Sequence, residues 1–176
     1  MRIAHVLTLA TAVATAVAFV PDASAGRLRV HGSGTTADGG TATGTAAAGR
    51  GIRGSYVRGH GATTDAAGNT TGYSGASVQG ANGASARRSG SFSRNADGSA
   101  SQQSSASATL ANGATGSTSG SLSRSADGTV NGSRSSSATL ANGNSYNGST
   151  TVQNGAVTHA GTCTDASGAV IACPGR

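Results

Sequence analysis

Along most of this chain, apolar and polar positions alternate with a period of two. In Ser91-Phe92-Ser93-Arg94 the two serines point one way and Phe92 and Arg94 the other, while Ala106, Ala108 and Leu110 oppose Ser107 and Thr109. No interval carries the i, i+3, i+4 apolar stripe of a helix packed on a core. The alternation predicts an all-β chain wherever it is ordered.

The strands are punctuated at a fixed interval. Asn82-Gly83, Asp97-Gly98, Asn112-Gly113, Asp127-Gly128 and Asn142-Gly143 fall fifteen residues apart, and such pairs are favoured at the centre of tight type I′ hairpin turns. Residues 89–113 and 119–143 share 16 of 25 positions, so the Asp-Gly and Asn-Gly units alternate within a thirty-residue super-repeat. Residues 56–83 read as a degenerate earlier copy and 144–158 as a shortened one that ends at Asn154-Gly155.

Two architectures fit the step. In an extended antiparallel meander each unit is one strand and one turn, with Phe92, Leu122 and Val152 on alternate strands. In a β-solenoid residues thirty apart stack directly, which sets Arg94 on Arg124 at about 4.8 Å, an unfavourable pairing of like charges. The turn chemistry and that arginine pair favour the meander. Each strand supplies at most one large apolar side chain, so a single unit cannot hold itself together and stability must come from many neighbours.

The N-terminus departs from this pattern. Arg2 precedes an apolar run from Val6 to Val20, Pro21 and Asp22 end it, and Ala23-Ser24-Ala25 supplies a cleavage pattern, the anatomy of a secretory signal peptide over residues 1–25. The expected organisation is then a flexible Gly-rich linker over 26–55, a β-repeat region over 56–158 and a C-terminal hairpin over 159–176, with no transmembrane segment after the signal.

Composition narrows the function. Residues 26–176 hold 14 Leu, Ile, Val and Phe and no Trp, Lys or Glu, too little to fill a conventional core. All 12 basic residues are Arg, against 6 Asp, giving a formal charge of +6. Arginine pairs bidentately with phosphate and carboxylate, so Arg50, Arg53, Arg58, Arg87, Arg88, Arg94 and Arg124 are the candidate contacts to an anionic polymer: extracellular DNA, lipopolysaccharide or polysaccharide. In a chain carrying an export signal, Cys163 and Cys173 flanking a turn-and-strand segment are expected to form a disulfide.

Reactive constellations are lacking. The His residues after the signal are His31, His60 and His159, no nucleophile elbow stands between a strand and a helix, and the Asp residues occupy turns, so no catalytic residue, metal ligand or cofactor site is assigned and the chain is read as no enzyme. One Asp per thirty residues is too few oxygen ligands for a calcium cage.

With the signal sequence, Gly/Ser/Thr strands and Asn-Gly turns together, residues 56–158 resemble exported low-complexity β-repeat proteins of Gram-negative bacteria, of the fibrous adhesin and surface-matrix type. The fifteen-residue step is similar to the head repeats of trimeric autotransporter adhesins, although CPGR at the end of the sequence is no membrane-anchor strand. The resemblance implies a structural or adhesive role at the cell surface or in an extracellular matrix, with self-association through sheet edges, and carries no functional residues across.

Overall fold

The computed structural model describes residues 26–173; the expected signal peptide, residues 1–25, lies outside them. The described residues form one eleven-stranded sheet in which sequence order is spatial order, with every neighbouring pair antiparallel. Ten long strands, β1 (Arg27–Thr35), β2 (Thr41–Gly51), β3 (Gly54–Thr64), β4 (Thr70–Gly80), β5 (Ser85–Arg94), β6 (Ala100–Thr109), β7 (Thr115–Arg124), β8 (Val130–Thr139), β9 (Ser145–Gln153) and β10 (Ala156–Thr164), are followed by the two-residue β11 (Val170–Ile171). The sheet is open, not closed into a barrel. It is a hairpin meander, and the solenoid is excluded: Arg94 and Arg124 stand two strands apart with Ala100 between them, so no arginine stacks on its repeat.

The expectation of a flexible linker over residues 26–55 is overturned. β1 pairs with β2 along its whole length, from Arg27 opposite Gly49 to Thr35 opposite Thr41, and β2 pairs with β3 from Thr41 opposite Thr64 to Gly51 opposite Gly54. A ladder needs backbone partners, not apolar side chains, and once β3 is in place the Thr- and Ala-rich β2 finds them.

The turns also differ from the expected type. In the repeat, the amide of the turn glycine donates to the carbonyl three residues back, as Gly98 does to Asn95 at 3.0 Å and Gly113 to Leu110 at 3.0 Å. Only the glycine has positive φ; Asp97, Asn112 and their counterparts do not. These are three-residue connections, a type I turn closed by a left-handed residue, rather than type I′. The Asn or Asp instead folds its side-chain oxygen back onto the amide two residues on: Asp97 Oδ1 accepts from Ser99 N at 2.8 Å and Asn112 Oδ1 from Ala114 N at 3.1 Å. The type I′ turn occurs where the repeat shortens, at Asn154-Gly155, with φ of 50° and 83°.

Because successive turns leave opposite ends of the strands, the alternating flavours separate in space. Asp38, Asp65, Asp97 and Asp127 lie on one rim, in the connections after β1, β3, β5 and β7; Asn82, Asn112 and Asn142 lie on the other, after β4, β6 and β8. Neighbouring turns are bonded to one another, Ala96 N to Asn69 Oδ1 at 3.0 Å and Ala81 N to Arg53 O at 3.1 Å.

Among the described residues no second layer covers the sheet. Of the described residues only Ala47, Ala114 and Cys163 are buried and apolar, and Phe92, Leu122 and Tyr73 keep 44–45% of their surface exposed. In place of a core, large side chains lie across the sheet on glycines of the adjacent strand. Phe92 covers its partner Gly72, Tyr56 covers Gly49, Leu122 covers Gly132, and Tyr146 lies over Gly148 of its own strand and reaches Gly161 of the next. A Cβ on Gly49 would come within 2.5 Å of the Tyr56 ring, and one on Gly132 within 2.7 Å of Leu122 Cδ1. Each glycine is thus a seat for a side chain that would otherwise stand alone in water. At the far end Cys163 is bonded to Cys173, tying the chain beyond β11 back to β10.

Candidate functional site: an arginine face and a hydroxyl face

Following the register across the ladders sorts the side chains into two unlike surfaces. Over β5 to β9 one surface holds only hydrogen-bonding side chains: Ser or Thr, except for Arg87, Gln103, Asn131, Asn147 and Gln153. Ser89, Ser105, Ser119, Ser135 and Ser149 form one continuous row across it and line a shallow trough of about 660 Å³. The hydroxyls pair across the strands, Ser89 with Ser105 at 2.8 Å, Ser117 with Ser137 at 2.8 Å and Ser119 with Ser135 at 3.0 Å.

The opposite surface carries the bulk and the charge. Phe92, Gln102, Leu122, Gly132, Val152 and Val157 form a row from β5 to β10, so the three apolar residues expected on alternate strands stand in one line. A second row runs Arg29, Ala47, Arg58, Ala76, Arg88, Ala106, Thr118 from β1 to β7. Its arginines sit on alternate strands, about 9.5 Å apart at the usual strand spacing, each separated by an alanine. Arg134 stands one row over, opposite Gly120 and Thr150, and reaches back to this row where its Nε donates to Thr118 Oγ1 at 2.9 Å. The adjacent row on this surface contains His31, His60 and His159, the last hydrogen-bonded to Thr150 at 2.9 Å and Tyr146 at 3.3 Å.

Of the arginines singled out in the sequence, Arg58, Arg88, Arg94 and Arg124 share this surface. Arg124 Nη2 donates to Gly98 O at 2.7 Å and so braces the turn between β5 and β6. Arg50 and Arg87 lie on the hydroxyl surface, where Arg87 Nε donates to Ser107 Oγ at 2.9 Å, and Arg53 is in the β2–β3 connection. Sequence reasoning missed Arg27, Arg29 and Arg134. The first two lay in the supposed linker. The third takes its place on this surface only through the register, opposite Gly120 and Thr150.

The aspartates of the described residues all sit in turns, off both surfaces. Hydrogen bonds hold four of them below the ordinary carboxylate range: the side-chain amide of Asn69 and then its backbone N–H for Asp65, the hydroxyl and then the N–H of Ser99 for Asp97, the N–H and then the hydroxyl of Thr129 for Asp127, and the Ser167 hydroxyl and then the Ala169 N–H for Asp165. Their charge is spent on their own turns, which leaves the arginine surface without an acidic counterpart on the same face. The two cysteines are joined in the disulfide and offer no thiolate to a metal. Among the described residues no helix is long and apolar enough to cross a membrane.

Comparison with protein-family models, with curated proteins and with solved structures returned no match.

Proposed function

We propose that this chain is an exported, non-catalytic structural or adhesive β-repeat protein of the cell surface or extracellular matrix. The observation that supports this most directly is the single layer: a repeated sheet that exposes both broad faces and its long edges and encloses almost nothing. Such a surface is suited to lying against other large, repetitive surfaces, including other copies of the chain. Export rests on the signal-like N-terminus, and N-terminal sequencing of the secreted chain should begin at Gly26. Far-UV circular dichroism with a sedimentation series tests the structural reading: a β spectrum and concentration-dependent mass are expected, whereas a random-coil spectrum with a monomeric mass throughout would overturn it.

A second reading, that the chain holds an anionic polymer through arginine, is favoured by the row Arg29, Arg58, Arg88. A linear polyanion lying across the strands meets guanidinium groups at regular intervals, with small alanines between them that leave the phosphate, sulfate or carboxylate groups room to approach. Binding of a sulfated polysaccharide or single-stranded DNA should weaken steeply with added salt, and affinity indifferent to salt would rule out this electrostatic account.

A further inference from the structure

We infer that copies of this chain join head to tail, β1 of one copy adding as the next strand on the open part of β10 of another, to give one continuous antiparallel sheet. The inference rests on the structural reading above and names the surface and the partner through which it acts.

The direction of the edge groups follows from the turn hydrogen bonds. Thr36 N donates to Gly40 O and Arg50 N to Gly26 O, so the even-numbered residues of β1 turn their backbone groups towards β2. Strand alternation then leaves those of Arg27, Arg29, His31, Ser33 and Thr35 facing outwards. At the other edge Asp165 N donates to Ala169 O, so in β10 the odd-numbered residues face away from β9. β11 pairs with Cys163 and Thr164, and among the described residues Val157, His159 and Gly161 have no strand partner on that side. The outward-facing residues of both edges carry their side chains on the arginine surface. Two such edges, hydrogen-bonded to one another, therefore carry each surface across the joint without inversion.

The symmetric alternatives are antiparallel as well, and charge and the use of both edges select this joint over them. Ten long strands alternate in direction, so β1 and β10 run oppositely, and a following copy's β1 is antiparallel to β10. Pairing two β1 edges would bring two copies of Arg27 and Arg29 into adjacent strands. β10 contains no Arg, Lys, Asp or Glu, so it receives the cationic edge without like-charge contact. Head-to-tail contact is also the arrangement that uses both edges of every copy, and it does not close on itself. The disulfide ties the chain beyond β11 to the end of β10, where Cys163 and Thr164 are already paired, which limits the joint to residues 156–162.

Two proline variants test the joint, because each removes one outward N–H while sparing the inner ladder. Ser33→Pro blocks β1, Val157→Pro blocks β10, and each is checked for an unchanged far-UV spectrum; Arg29→Pro and His159→Pro substitute for them if either spectrum is lost. In sedimentation velocity the unaltered chain is expected to form a series extending beyond dimers, each variant alone to be monomeric, and the mixture to give a 1:1 dimer that grows no further. Dimerisation of Val157→Pro alone would mean β1–β1 contact and dimerisation of Ser33→Pro alone β10–β10 contact, and either overturns the head-to-tail joint. A mixture that stays monomeric while the unaltered chain assembles overturns the joint but leaves self-association standing. An unaltered chain that keeps its β spectrum and stays monomeric at every concentration overturns both.

Discussion

The two surfaces of β5 to β9 are made by the same strands, and they solve different problems. On the hydroxyl surface one small polar side chain follows another, and cross-strand hydroxyl pairs hold them together; each such pair contributes on the order of 0.2–1 kcal/mol. On the arginine surface, large side chains are spaced out and lie on glycine seats, with cations between them. The difference teaches that this stretch of sheet, without a second layer, divides its tasks by face: over β5 to β9 one surface is uniform and repetitive and the other gathers the large apolar side chains, whereas nearer the first edge Leu28, Val30, Val57 and Tyr73 stand on the hydroxyl side.

That contrast can be broken most sharply at glycine. Gly72 on the arginine surface seats Phe92, whereas a Cβ on Gly75, on the hydroxyl surface, would meet only Arg88 O at 3.8 Å, an ordinary contact. Gly72→Ala should destabilise the sheet by about 1–3 kcal/mol through displacement of the ring, while Gly75→Ala should be neutral or stabilising by up to about 1 kcal/mol, since it removes only chain entropy. Denaturant midpoints measure both, and Gly72→Ala combined with Phe92→Ala should cost less than the sum of the two. At the rims the ranking should reverse. Gly98, with φ of 86°, becomes strained as alanine by about 1–2 kcal/mol although a Cβ there would meet only Arg124 Nη2 at 4.0 Å, an ordinary contact.

Charge sharpens the comparison at a pair of neighbours. Arg87 and Arg88 are adjacent in sequence and on opposite surfaces, so Arg88→Ser should weaken polyanion binding by roughly fivefold, about 1 kcal/mol, and Arg87→Ser by much less. Equal losses in a binding titration would place the polymer elsewhere.

The smallest effect belongs to the turn aspartates. Asp97 and its counterparts have native pKa values below the ordinary 3.8, so the unfolded chain takes up their protons first as the pH drops. Their contribution is fully present above the ordinary carboxylate value and is lost as pH falls through the native values. Thermal midpoints should therefore be flat near neutrality and decline only below about pH 4, and Asp97→Asn, which keeps an acceptor oxygen for Ser99 N, should flatten that decline.

Much of this was legible in the chain itself. The fifteen-residue step, the alternation of Phe92 and Arg94 against Ser91 and Ser93, and the shortened last repeat at Asn154-Gly155 need only local rules. β1 and β2 were not legible, for a physical reason: two turns between Gly39 and Gly83 use other chemistry. Ile52-Arg53 makes a two-residue connection without Asn or Asp, and Asp65-Ala66-Ala67-Gly68 moves its carboxylate to the first turn position, where Oδ1 accepts from both Ala67 N and Asn69 N at 2.9 Å. The phase of the repeat is lost across them, and Asp38-Gly39 then reads as part of a linker. The arginine row is a property of register, and register depends on the length of every intervening turn; that is why Arg58 and Arg88 were recognised singly and never as a line with Arg29.

The even number of long strands constrains how such a molecule can change its length. Adding one fifteen-residue step would reverse the direction of every later strand, exchange the aspartate and asparagine rims from that point on, and present the last edge in the wrong sense to a following copy. Adding two steps restores all three. Growth or loss of the array without disturbing its ends is therefore confined to quanta of thirty residues, the unit in which the Asp-Gly and Asn-Gly turns alternate along the sequence.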